Sequence, residues 1–439
     1  MKNSDLNTLI THDKNECVYK YLTCDEAAKN GDLECLKYLH ENGCPCSTET
    51  SKNAAENGHL ECLKYLHENG CPWNEDTCNC ATENGHIECL KYAYENGCHW
   101  NEDMYKKAVE KGHLECLKYL HENECYWIHK YGCYWAHDTC GIAAYNGHLE
   151  CLKYAHENGW DWDKETCKKA VEKGHLECLK YLHENGCPWS SDMCEEAAKN
   201  GHLDCLKYAH ENGCFWDQWT CAYAAANGHL ECLKYLHENG CYWNEYTCDY
   251  ATKKGHIECL KYAYENGCPW DEKTCDLAAE NGHLECLKYA HENGCPRYGQ
   301  TCVAAAKNGH LECLKYAHEN GCHLYLFICS VAAVNGHLEC LKYAHENGSP
   351  WSAETCANAA KHDHIDCLKY AYENGCPYPE ELLSTIVKKI LIPKWRDSVK
   401  TRPIVYYWME CSAKTSCGQN GRARIEDINS FENDFKFIQ

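Results

Sequence analysis

Along most of this chain, apolar and polar residues fall with helical spacing, and the same spacing keeps returning. In "GHLECLKYLHENG", residues 58–70, Leu60, Cys62, Leu63 and Leu66 share one helical face. Glu61, Lys64 and Glu68 share the other, the mark of an amphipathic helix. The stretch "T-C-x-x-A-A-x-N-G", as in Thr274 to Gly282, predicts a shorter helix before it. Thr there is expected to cap the helix through its side-chain oxygen. Asn-Gly ends it, because glycine reaches a left-handed backbone without strain. Period-2 alternation is absent, so no strands are predicted.

The glycine that opens the second helix recurs from Gly31 to Gly336, and Asp363 replaces it in a thirteenth copy. Eleven of the twelve intervals are 27 residues, and Gly112 to Gly147 is 35. The surplus eight residues, near 127–134, read as a loop insertion. One such helix pair cannot bury its apolar stripe alone, so neighbours must stack. The predicted fold is all-α: a solenoid of about 13 stacked helix-turn-helix repeats over 23–378. An N-terminal cap is expected over 1–22, and a C-terminal cap or tail over 379–439.

The unit "T-C-x-x-A-A-x-N-G-H-L-E-C-L-K-Y-L-H-E-N-G-C-P-W-N" resembles the ankyrin repeat. Ala54-Ala55, the turn Gly58-His59-Leu60-Glu61 and the closing Gly70 all follow the family pattern. The family repeat is about 33 residues long. The shortfall lies after "C-P-W-N", where the family places its β-hairpin finger, so truncated fingers are expected. Short arrays of this kind are similar to those encoded by large DNA viruses of protists. The resemblance implies a non-enzymatic scaffold that binds a protein partner on the concave face, lined by the first helices.

Composition narrows the partners. The formal charge is −23, and each "HLECLKYLHENG" contributes two Glu and one Lys, so the acidity is spread evenly. A nucleic-acid footprint needs clustered Lys and Arg instead. A neutral or basic protein partner is favoured. Residues 1–14 lack the apolar run of a secretion signal, and no stretch suits a membrane span. A monomeric, intracellular protein is expected, cytoplasmic and in the host cell if viral, with no membrane or nucleic-acid partner. There is no Walker P-loop, G-x-S-x-G or H-E-x-x-H. No enzyme and no cofactor are therefore expected.

The chain has 41 cysteines, 35 of them at three repeat positions. Cys62 stands for position four of the second helix, Cys71 for the turn, and Cys78 for the first helix. Free cysteine packs as a small hydrophobe, so these sites read as core. Disulfides between equivalent cysteines of neighbouring repeats are excluded, since a ~10 Å helix step exceeds the ~7 Å Cα limit. Pairs between different positions of one repeat stay open. A Cys/His-rich metal or redox protein is the rival reading, because His59 and Cys62 lie one helical turn apart. No C-x-x-C supports it. The repeated His is expected to serve local backbone groups in its turn.

Function in a repeat array belongs at the positions that vary. The second variable site of the first helix is mostly polar early in the chain, apart from Ile142. It turns apolar from Tyr223 through Tyr250 and Leu277 to Val331, with Val334 near the helix end. Two readings stand: a partner-binding row, or better packing between first helices. Trp follows "C-P" or its equivalent in nine repeats and reads as a half-buried ladder, interrupted by Arg297 and Leu324. After Pro377, a helix from Pro379 is expected, with Leu382, Leu383, Ile386 and Ile390 on one face and a break at Pro393. It reads as a cap. Its "P-x-E-L-L-x-x-I-x-x-x-I" also resembles the opening of an F-box, which implies a substrate adaptor for a cullin-type ubiquitin ligase.

Overall fold

The computed structural model describes residues 23–98, 103–123, 138–271, 273–295, 300–325 and 327–391. The expected N-terminal cap, the insertion, Arg297 and the tail beyond 391 lie outside these residues. All thirteen repeats form their two helices, and no strand occurs among the described residues. The turn between repeats is plain: Asn69 and Gly70 end one helix, and Asn74 caps the next. The hairpin finger is gone, as the 27-residue period predicts. The repeats divide into two compact units, 1–269 and 270–439.

Within each unit the repeats form two layers. First helices pack on first helices, and second helices on second helices. First helices approach more closely, because their facing residues are small: Ala54, Ala55, Ala81 and Ala224 are wholly buried. The second helices bury Cys62, Leu63 and Leu66 in every turn of the pattern. Glu61 and Lys64 face water and pair at 2.8 Å.

The cap of the first helix differs from the sequence expectation. The helix starts one turn earlier, so Thr is its third residue. Asn74, Asp163, Asp217 and Asn244, just after the Trp, do the capping. Asp163 accepts from the amides of Glu165 and Thr166, and Thr166 Oγ1 accepts from the Asp163 amide. That reciprocal capping box satisfies donors a helix start would leave orphaned. Thr23 does cap its own helix.

The glycine between the two helices is demanded twice over. Gly58 has φ 75°, and a Cβ there would lie 2.5 Å from His86 of the next repeat. Asp363, with φ 63°, holds the same place in the last repeat. Aspartate tolerates the left-handed region better than most residues, and no later repeat sends a histidine against it. That histidine is not the local turn residue expected. His59 Nε2–H donates 3.1 Å to the Lys29 carbonyl of the preceding repeat, and His113 reaches Glu83 at 3.0 Å. The carbonyl near one first-helix end is thus capped by the next repeat.

The segment after Pro377 is not one continuous α-helix. A 3₁₀ turn (Glu380–Leu382), one α turn (Leu383–Ile386) and a π turn (Val387–Leu391) follow each other. Ile386 and Ile390 are buried. The π turn contacts the last second helix, and Lys389 pairs with Asp363.

Candidate functional site

The second helices leave little room for individuality, and their aromatic residues are committed to joining repeats. Trp73 stacks on His67 with ring centroids 4.0 Å apart and meets Tyr92 of the next repeat edge-on at 6.1 Å. His67 Nδ1 and the Tyr92 hydroxyl lie 3.1 Å apart, closing the triad. His237, Trp243 and Tyr262 repeat it at 3.8, 6.1 and 3.2 Å. The Trp ladder is half-buried to buried, as its regular recurrence implies, and belongs to the frame.

The cysteines are core, and they also donate. All the described ones are free thiols. Cys62 and Cys89, both in second helices, are 1% exposed, and burial pushes their thiols up to about 11. The turn cysteines point at the carbonyl of their own repeat's N-cap: Cys98 to Asn74 at 3.1 Å, Cys241 to Asp217 at 3.2 Å. Ser349 replaces cysteine at this place and makes the same bond, to Tyr325 at 3.1 Å. The cross-position pairs left open in the sequence do meet. Cys221 and Cys241 thiols are 3.0 Å apart, hydrogen-bonded and not bridged. His59 and Cys62 do not form a ligand pair, since the ring is turned to the Lys29 carbonyl and the thiol is buried.

The first-helix face is where repeats differ. Tyr223 and Tyr250 are brought together, ring centroids 6.5 Å apart, on neighbouring helices Gln218–Ala226 and Glu245–Lys254. Trp219 and Tyr246, one turn nearer each N-terminus, stack at 5.0 Å, and Trp219 also reaches Tyr223 and Tyr250 at 6.5 Å. Four rings therefore form one half-exposed cluster. Asn244 Nδ2 donates 3.0 Å to Gln218 Oε1, tying the two helix starts. At the turns leading into these helices, Phe215 and Tyr242 are 87% and 71% exposed. Both stand where other repeats have proline. Trp219 and Tyr246 were missed in the sequence because the first helix was started a turn too late; Phe215 and Tyr242 lie in the preceding turns, before the Trp.

The other candidates are placed differently. Ile142 is separate from the cluster. It lines a cavity of about 360 Å³ with Gly141, Tyr145, Glu110, Asp138 and Lys169. Lys169 pairs with Asp138 there, and Lys173 Nζ lies 4.7 Å above the Tyr145 ring. This is a charged groove, and the apolar row does not extend to it. In the second compact unit, Leu277, Val331 and Val334 are half-buried. Their helices flank Gln300–Asn308, which packs against both, so small Ala304 lies on the helix between Leu277 and Val331. Leu324 is half-buried, and Phe327, at the start of the Val331 helix, is 62% exposed.

Stacked helix pairs with plain turns, and variable side chains on one helix layer, define an all-α helical repeat solenoid. A family model described as "Ankyrin repeats (3 copies)" matches residues 24–104, 51–131, 106–193, 168–247 and 194–274. A second, "Ankyrin repeats (many copies)", matches 275–318. The chain belongs to the ankyrin repeat family. The crystal structure of the human ASB11 ankyrin repeat domain is similar at 22% identity and a TM-score of 0.33, covering 38% of this chain and 84% of that one. No curated protein sequence matches this chain. Ankyrin repeats generally mediate protein–protein interaction, and the family is typically non-enzymatic. No helix among the described residues is long and apolar enough to cross a membrane.

Proposed function

We propose that this chain is a non-enzymatic scaffold that holds a protein partner on its first-helix face. The observation that carries this reading is the ring cluster of Trp219, Tyr223, Tyr246 and Tyr250, flanked by exposed Phe215 and Tyr242. Aromatic residues are over-represented among side chains that dominate binding energy, and large exposed apolar patches mark interaction surfaces. Partial burial against one another holds the rings in place, so little side-chain entropy is lost on binding. The even acidic charge favours a neutral or basic partner. Leu277, Val331 and Val334 offer a second, weaker apolar strip. Ile142, in its charged groove, lies apart from both apolar surfaces.

Residues 379–391 serve as a cap in this reading. Burial of Ile386 and Ile390 supports that role over docking of a ubiquitin-ligase adaptor, which would need the same face. The test is co-purification of partners from a eukaryotic lysate, followed by affinity measurement. Tyr223→Ala with Tyr250→Ala should weaken the main partner at least tenfold, while truncation after Gly375 leaves the partner set unchanged. Unchanged affinity in the double variant would remove the site. A cullin-ligase adaptor bound only by the full chain would restore the adaptor reading.

A further inference from the structure

The first repeat has a cysteine at the Trp position of the aromatic frame. "C-P-C" occupies residues 44–46, where nine other repeats end the same turn with Trp. In the regular arrangement that Trp stacks on the second-helix histidine, as Trp73 does on His67. In repeat 1 the histidine is His40, and Cys46 takes the place of the ring. Among the described residues, one group gathers three potential metal donors: His40, Cys46 and Cys71, whose ligand atoms lie within 4.8 Å of one another. Cys71 is the turn cysteine of the next repeat. Its equivalents Cys98 and Cys241 donate to a carbonyl, whereas the Cys71 thiol lies within 4.8 Å of the Cys46 thiol. Cys24, wholly buried, lies beside this group, its thiol donating to the Cys44 carbonyl at 3.7 Å.

We propose that His40, Cys46 and Cys71, with Cys24 as fourth donor, form a zinc site joining the first two repeats. Three thiolates and one imidazole match the structural zinc set, with Zn–S about 2.3 Å and Zn–N about 2.0 Å. Tetrahedral geometry at those lengths places donors about 3.5–3.8 Å apart. Rotation of the half-buried Cys46 side chain closes the gap from 4.8 Å. His40 Nδ1 lies 3.1 Å from the Tyr65 hydroxyl, which holds the ring in orientation. With Nδ1–H donating there, Nε2 carries the lone pair that a metal takes. The metal would link two repeats that otherwise lack the Trp of the His–Trp–Tyr triad at this junction.

The test uses the full chain, reduced and stripped of metal, titrated with cobalt(II) and then zinc. One equivalent of cobalt with tetrahedral thiolate absorption, displaced by one equivalent of zinc, is the expected result. Cys46→Trp should abolish that equivalent without loss of helicity, because it installs the residue nine repeats already use. Cys221→Ser, in a thiol pair with no histidine, should keep it. Cobalt binding that survives Cys46→Trp, that is equally lost in Cys221→Ser, or that lacks a tetrahedral spectrum would overturn the site.

Discussion

The two helix layers of this molecule are made of the same kind of unit and have taken opposite paths. Second helices are nearly one sequence written thirteen times, and first helices vary from repeat to repeat. The second-helix histidines, cysteines and tyrosines are each committed to a neighbour: His67 to Trp73 and Tyr92, Cys62 to the core. A change there disturbs two repeats at once. First helices are held by buried alanines and by cap residues, which leave the second variable site half-exposed. Tyr223 and Tyr250 occupy that site and pack on each other and on Trp219. Monotony thus marks the joints, and variation marks the surface free to specialise.

That division can be pressed in several ways. The largest effect should come from alkali. Burial raises the second-helix thiols to about 11 at Cys62, Cys89 and Cys259, and to about 12 at Cys116 and Cys232. Unfolded thiols ionise near 8.5. The native chain therefore binds more protons than the unfolded one above that pH, and stability falls from about pH 8.5 until the folded thiols ionise. Circular dichroism melts across this window should show a steep drop. Replacing second-helix cysteines with alanine should flatten the slope.

Next, Leu233→Ala in a second helix should cost about 2–5 kcal/mol, since the side chain is wholly buried. Denaturant unfolding reads this directly. Tyr223→Ala with Tyr250→Ala should cost about 1 kcal/mol of stability, the scale of an aromatic pair, while weakening the partner tenfold. A stability loss matching that of Leu233→Ala would mean the rings are frame after all. Lys64→Ala, which breaks an exposed 2.8 Å pair with Glu61, should change stability by under about 1 kcal/mol.

Much of this was legible in the sequence. The glycine period fixed the number of units, and the spacing of Leu60, Cys62, Leu63 and Leu66 fixed the buried face. The first-helix start was not legible from Thr, because the chain caps itself a turn earlier with Asn74 or Asp163. The residue after Trp was the available signal. Its neglect hid Trp219 and Tyr246, which lie in that extra turn. The bond from His59 to the Lys29 carbonyl spans 30 residues, and no local reading of a turn reveals it. The Cys46 cluster was marked by a single departure from "C-P-W", legible only once the role of that Trp is known.

The central claim is that recognition sits on the first helices and cohesion on the second. Hydrogen exchange of the full chain, alone and saturated with its co-purified partner, tests it most directly. The account predicts added protection in Gln218–Ala226 and Glu245–Lys254 and in the turns that carry Phe215 and Tyr242. The second helices Leu230–Glu238 and Ile257–Glu265 should change little. Protection centred on those second helices, with the aromatic first helices unchanged, would contradict it.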